Sequence, residues 1–155
     1  CYFEEKHDPE RIIDIVKASS SLPFVSPVSY VDGEPMLDGG IADSIPLLRA
    51  RELGYDNNLV VLTRNKGYRK SERAIRLPRF VYKQYPQLRA VLERRNTLYN
   101  EQLALVERLE EEGSLTVLRP ERPIEVGRIE RDTRKLVALY DEGYAVAEAL
   151  KIIKE

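Results

Sequence analysis

The sequence is poor in the residues that build metal centres and covalent frameworks. It holds one cysteine, Cys1, and one histidine, His7. A single cysteine excludes an internal disulfide framework. A single histidine with no ordered cysteine set leaves no ligand cluster of the zinc kind, so neither a metal nor a cofactor is expected. No apolar run approaches the ~18 residues of a membrane span. No targeting segment is visible, but the chain opens on Cys1-Tyr2-Phe3 rather than on methionine. That start reads as the cut end of something longer, so the missing leader says nothing of the parent protein. The net charge of −1 excludes a global field that would recruit nucleic acid or membrane.

What is present suits one domain of ordinary size. Of the 155 residues, 43% are hydrophobic and 33% charged, a balance that supports a packed core and argues against disorder. The charge is unevenly placed. Residues 1–63 carry 5 basic and 11 acidic side chains. Residues 64–95 carry 11 basic side chains against only Glu72 and Glu93, and residues 96–155 carry 9 basic and 13 acidic. The near-zero total therefore conceals a basic segment.

Hydrophobic spacing and breaker residues predict an α/β order. A helix is expected over 9–19, with Asp8 as N-cap, Pro9 in the first turn, and Ile12, Ile13, Ile15 and Val16 on its apolar face. Ser19-Ser20-Ser21 and Pro23 end it. A short strand from Val28 to Val31, a turn at Asp32-Gly33-Glu34 and a second strand at Met36-Leu37 follow. A helix from about Pro46 to Leu53 is closed by Gly54. The apolar run Leu59–Thr63 suits a strand of a parallel sheet buried on both faces. A long helix over 86–112 places Leu88, Val91, Leu92, Tyr99, Leu103, Val106 and Leu109 along one side and stops at Gly113. A strand from Leu115 to Leu118 completes a strand–helix–strand crossover. The tail from Arg131 to Lys154 reads as two short helices broken at Gly143.

Asp38-Gly39-Gly40 is the stretch that suggests chemistry. By itself, an aspartate before two glycines is a common turn. Its place at the end of a short apolar strand is more telling, because α/β proteins put catalytic groups at strand ends. The two glycines would permit positive φ and the close approach of another backbone. A carboxylate there is able to accept a proton from a nucleophile or hold its partner in orientation.

The run from Ala18 to Leu47, "ASSSLPFVSPVSYVDGEPMLDGGIADSIPL", resembles the patatin-like phospholipase family. There an alanine-serine-serine pattern with a nearby proline precedes a short hairpin, and the hairpin ends in aspartate-glycine-glycine or aspartate-glycine-alanine. Ala18-Ser19-Ser20, Pro23, Pro27, Asp32-Gly33, Asp38-Gly39-Gly40 and Pro46 follow that pattern in order and spacing. "YDNNLVVLTRNKGYRK" and the tail look like a bacterial subgroup of the family. The resemblance implies the C-terminal part of a three-layer α/β/α domain over residues 1–63. It assigns 64–155 to a basic, helical C-terminal extension.

The resemblance also implies a serine–aspartate dyad with no histidine. Asp38 matches its aspartate, and Gly39 and Gly40 shape the active-site turn. The family's serine stands on a G-x-S-x-G elbow, whose backbone helps to form the oxyanion hole. No pair of this chain's glycines brackets a serine in that way. A glycine-rich oxyanion loop is missing too, so the other half of the site is expected upstream of Cys1. The parent would hydrolyse a lipid ester, and the chain alone would be inactive. An α/β fragment without its leading strands would expose apolar surface, and would self-associate or assemble with its missing N-terminal half.

Other candidates have plainer readings. The three serines cap or end a helix. His7 is expected at the surface, Cys1 in a buried strand of the parent, and Asp43 with Ser44 as a cap for the helix near Pro46. The basic segment reads either as solvated surface balanced by acidic neighbours or as a contact for anionic headgroups. For the latter, Arg69, Lys70, Arg73 and Arg76 are the candidates, with Tyr68, Phe80, Tyr82 and Tyr85 interleaved. No nucleic-acid module is recognisable. The competing reading is therefore a non-catalytic module that binds anionic membrane surfaces or protein partners. The expected location is the cytoplasm or the periphery of a membrane.

Overall fold

The computed structural model describes residues 1–71, 73, 77–127 and 130–150. The architecture is mixed α/β, with four helices and two small sheets among the described residues. The helices are α1 (Pro9–Ser19), α2 (Leu47–Glu52), α3 (Pro86–Glu111) and α4 (Thr133–Ala149). The strands are β1 (Ser29–Val31), β2 (Glu34–Met36), β3 (Leu59–Val61) and β4 (Thr116–Leu118). The chain divides into two compact units. The first comprises residues 1–45 and 71–102, and the second 46–70 and 103–155.

The first unit is built on α1 and the β1–β2 hairpin. The Asp8 carboxylate accepts the backbone N–H groups of Glu10 and Arg11 at 3.0 and 3.1 Å, and Pro9 occupies the first turn. These groups satisfy donors that a helix start would otherwise leave unpaired. At the other end the Ser20 and Ser21 hydroxyls each donate to a carbonyl one turn back, Val16 and Lys17, at 2.8 Å. The serine run thus terminates the helix. β1 and β2 are antiparallel, with Ser29 opposite Met36 and Val31 opposite Glu34. Asp32 (φ 54°) and Gly33 (φ 81°) both lie in the left-handed region, which suits a two-residue turn to the twist of a hairpin. Ala18, Val31, Ile41, Ile45 and Leu92 are the buried apolar residues of this unit.

The second unit holds α2, β3, β4 and α4. β3 and β4 pair in parallel, Val60 opposite Val117, which agrees with the strand–helix–strand reading. Burial of β3 on both faces does not hold. Leu59 is 46% and Val61 64% exposed. The strand is three residues long in a two-stranded sheet, so only the face carrying Val60 is part-covered. α4 is one helix through Gly143, not two. Leu47, Leu62, Leu103, Val106, Leu109, Leu115, Val117 and Ala147 are the second unit's buried apolar residues. α3 contributes to both units. The apolar side expected for it is the buried one at Leu92, Leu103, Val106 and Leu109.

Candidate active site

Asp38 lies two residues beyond the end of β2 and caps a single 3₁₀ turn, Gly39–Ile41. Its backbone is held from both directions. The Asp38 N–H donates to the Ser21 carbonyl at 2.8 Å, and the Asp38 carbonyl accepts from the Ile41 N–H at 3.1 Å. Its Oδ1 accepts the Gly40 N–H at 2.7 Å. Oδ2 makes no hydrogen bond to a described residue. The side chain is therefore oriented through one oxygen, while the other is free to take a proton or a hydrogen bond.

The glycines act differently from expectation. Neither Gly39 nor Gly40 is in the left-handed region. What Gly40 supplies is space, because a Cβ there would lie 3.1 Å from Asp38 Oδ1. Nothing comes within 4 Å of the same position on Gly39.

The half-exposed Asp38 lines an open cavity of about 410 Å³. Ile15, Ala18, Met36, Ile41, Leu88 and Val91 supply its apolar wall. A neighbouring cavity of about 430 Å³ shares Leu37, Gln87 and Leu88 with it and is otherwise lined by residues such as Val28, Pro35 and Tyr85. Asp38 thus stands at the edge of apolar space. Ser19 and Cys1 line the first cavity, but neither is hydrogen-bonded to Asp38. The Ser20 hydroxyl is spent on a carbonyl, and Ser21 additionally meets the Ser29 hydroxyl at 2.7 Å. His7 and Cys1 are at the surface of this chain. Among the described residues no three His, Cys, Asp or Glu side chains cluster as metal ligands do.

Asp43 is not the cap of α2. The residue at that cap is Pro46, with no side-chain bond. Asp43 instead accepts from the Tyr2 hydroxyl and from the Gln102 amide, whose Oε1 in turn accepts the Ile45 N–H at 3.2 Å. This strap fixes the segment after the Asp-Gly-Gly turn. No local signal marks it, because Gln102 is 59 residues away. Ser44 donates to the Gly40 carbonyl at 2.6 Å and tightens the same turn.

The basic candidates are divided between the two units and the residues outside those described. Arg69 makes a two-pronged ion pair with Glu107, which also accepts the Gly67 N–H at 3.2 Å. Those donors, Arg69 first, hold the Glu107 carboxyl below the ordinary glutamate range. Lys66 meets Glu111 at 3.6 Å. Arg69 and Lys70 belong to the second unit and Arg73 to the first, while Arg76 lies outside the described residues. Among the described residues no helix is long and apolar enough to cross a membrane.

Comparison with known families gives two matches. Residues 2–51 match the patatin-like phospholipase model, and residues 85–151 match a domain of unknown function, DUF6363. No curated protein and no solved structure matches the chain. The hairpin, the Asp-Gly-Gly turn and α1 all fall inside the first match. The chain thus carries part of a patatin-like phospholipase domain in residues 2–51, followed by a DUF6363 domain.

Proposed function

We propose that this chain supplies the aspartate half of a serine–aspartate dyad in a lipid acyl hydrolase. Asp38 Oδ2 would accept the proton of a serine hydroxyl as that oxygen attacks an ester carbonyl. The carbonyl oxygen becomes an oxyanion, the alcohol leaves with the proton, and water then releases the fatty acid from the acyl-serine. The observation that carries this reading is the Asp38 carboxylate itself, pinned through Oδ1 to Gly40 N–H with Oδ2 uncommitted beside apolar space. The attacking serine and the oxyanion donors belong to sequence outside these 155 residues, since no G-x-S-x-G occurs here. The completed domain would be a three-layer α/β/α fold.

An esterase assay with a p-nitrophenyl acyl ester tests this. The chain alone gives no turnover above its Asp38→Asn variant. A polypeptide that joins it to a G-x-S-x-G elbow hydrolyses the ester, and Asp38→Asn lowers kcat by about 10³-fold or more. Asparagine keeps the acceptor for Gly40 N–H and removes only the base. Full activity in that variant would sink the assignment.

A further inference from the structure

Two turns of the first unit meet through Phe24 and the Tyr82 side chain and present large apolar side chains to solvent. The Leu22–Ser26 turn carries Phe24, 63% exposed, and Val25, 80% exposed. The Pro78–Tyr85 segment carries Phe80, 80% exposed. The Phe24 N–H donates to the Tyr82 hydroxyl at 3.0 Å, and the two rings lie 5.4 Å apart. Phe24 (φ 67°) and Tyr82 (φ 51°) both occupy the left-handed region, which bulky residues seldom adopt. Such backbone persists only where its surroundings hold it. Around Tyr82 the holder is Arg89 of α3, which donates to the carbonyls of Leu77, Pro78 and Val81, and the Phe24 turn is closed by the Ser26 N–H on the Leu22 carbonyl. Strained backbone and a dedicated arginine thus keep apolar side chains out in water.

Charge completes the surface. From Arg73 to Leu92 the sequence holds Arg73, Arg76, Arg79, Lys83 and Arg89 and no acidic residue, and residues 18–31 carry no charge at all. Arg89 is spent on the carbonyls. Arg79 and Lys83 flank Phe80, are exposed, and have no ion-pair partner among the described residues.

We propose that Phe24, Val25 and Phe80, flanked by Arg79 and Lys83, form a docking surface for an anionic lipid bilayer. Apolar tips enter the headgroup boundary while the cations meet phosphate, the combination that gives reversible interfacial binding. This goes beyond the esterase reading, because none of these residues touches Asp38. The basic contact shifts from Arg69, which is committed to Glu107, to Arg79 and Lys83.

Co-sedimentation with phosphatidylcholine vesicles, with and without phosphatidylglycerol, tests the surface. The 155-residue chain binds the anionic vesicles, and binding falls with added salt. Val25→Ser with Phe80→Ser lowers the partition coefficient by about tenfold or more. Arg79→Gln with Lys83→Gln lowers it by about fivefold for each charge removed. Both pairs change exposed side chains, so circular dichroism and the thermal midpoint stay at the wild-type values. Asp38→Asn binds as the wild type does, so failure of docking and failure of the dyad are separable. The proposal is overturned if the chain binds neither vesicle, if it binds both equally, or if either pair leaves binding unchanged. It is also overturned if the serine pair instead dissolves a dimer, which would make the surface a protein interface.

Discussion

At the scale of single residues, Asp38 gives one oxygen to its own turn and keeps the other. Gly40 is what allows the first bond, because the Cβ position there is 3.1 Å from Oδ1. Gly40→Ala is expected to push the carboxylate aside and cost about 1 kcal/mol in urea unfolding, while Gly39→Ala stays within about 0.5 kcal/mol. Equal effects at both positions would mean that the carboxylate does not need the space. Glu107 offers a pH test. Its carboxyl is held below the ordinary value of 4.5 chiefly by Arg69, then by the Gly67 N–H. A lowered folded-state pKa means that the unfolded chain takes up the proton first as pH falls. The stabilisation is therefore complete above the ordinary value and is lost as pH drops below 4.5 through the folded value. Glu107→Gln is expected to destabilise by about 1 kcal/mol at neutral pH, an amount limited by the exposure of Arg69. The difference fades from 4.5 downward. A difference that stays constant to about pH 3 would mean the pair contributes through packing alone.

At the scale of elements, local rules and packing compete most visibly in α4. A glycine inside a helix costs about 1 kcal/mol relative to alanine, yet α4 continues through Gly143. Its following turns are held by the side chains they place against the rest of the unit. Ala147 is buried, and Val146 lines a cavity with Val61, Leu62 and Leu118. Nothing lies within 4 Å of a Cβ at Gly143. Gly143→Ala is therefore expected to stabilise the chain by about 0.5–1 kcal/mol, read as a higher urea midpoint at unchanged slope. A loss of stability would show that the helix bends at Gly143 in solution. The hairpin is the contrasting case. Two three-residue strands are too few to stand alone, and β1 is tied through Ser29 to Ser21, just beyond the end of α1.

At the scale of the whole molecule, much apolar surface is left in water. Ile13 and Val16 on α1 and Tyr30 on β1 are all more than half exposed, although the α1 periodicity marks the first two as a buried face. Surface of that kind drives association. Sedimentation velocity is expected to show concentration-dependent self-association, accompanied by binding of a dye that reports exposed apolar surface. Ile13→Ser with Val16→Ser abolishes the association, while Val25→Ser with Phe80→Ser leaves it in place. A monomer at all concentrations that binds no dye would contradict this.

By itself the sequence determined what is settled within about one helical turn. Asp8 and Pro9 start α1, Asp32-Gly33 make the hairpin turn, the serine run ends the helix, and Asp38 is followed by a tight turn. Each depends on φ preferences or on hydrogen bonds spanning four residues or fewer. The long apolar side of α3 was legible for the same reason, since its period repeats many times. The tertiary structure alone decided the partners of Asp43 and Arg69, the exposure of β3, the continuity of α4, and the meeting of Phe24 with Tyr82. Gln102 lies 59 residues from Asp43, Glu107 38 from Arg69, and Tyr82 58 from Phe24. No local preference acts over such separations. Those pairs form only after chain closure has brought distant segments together, and the choice among possible partners is made by packing.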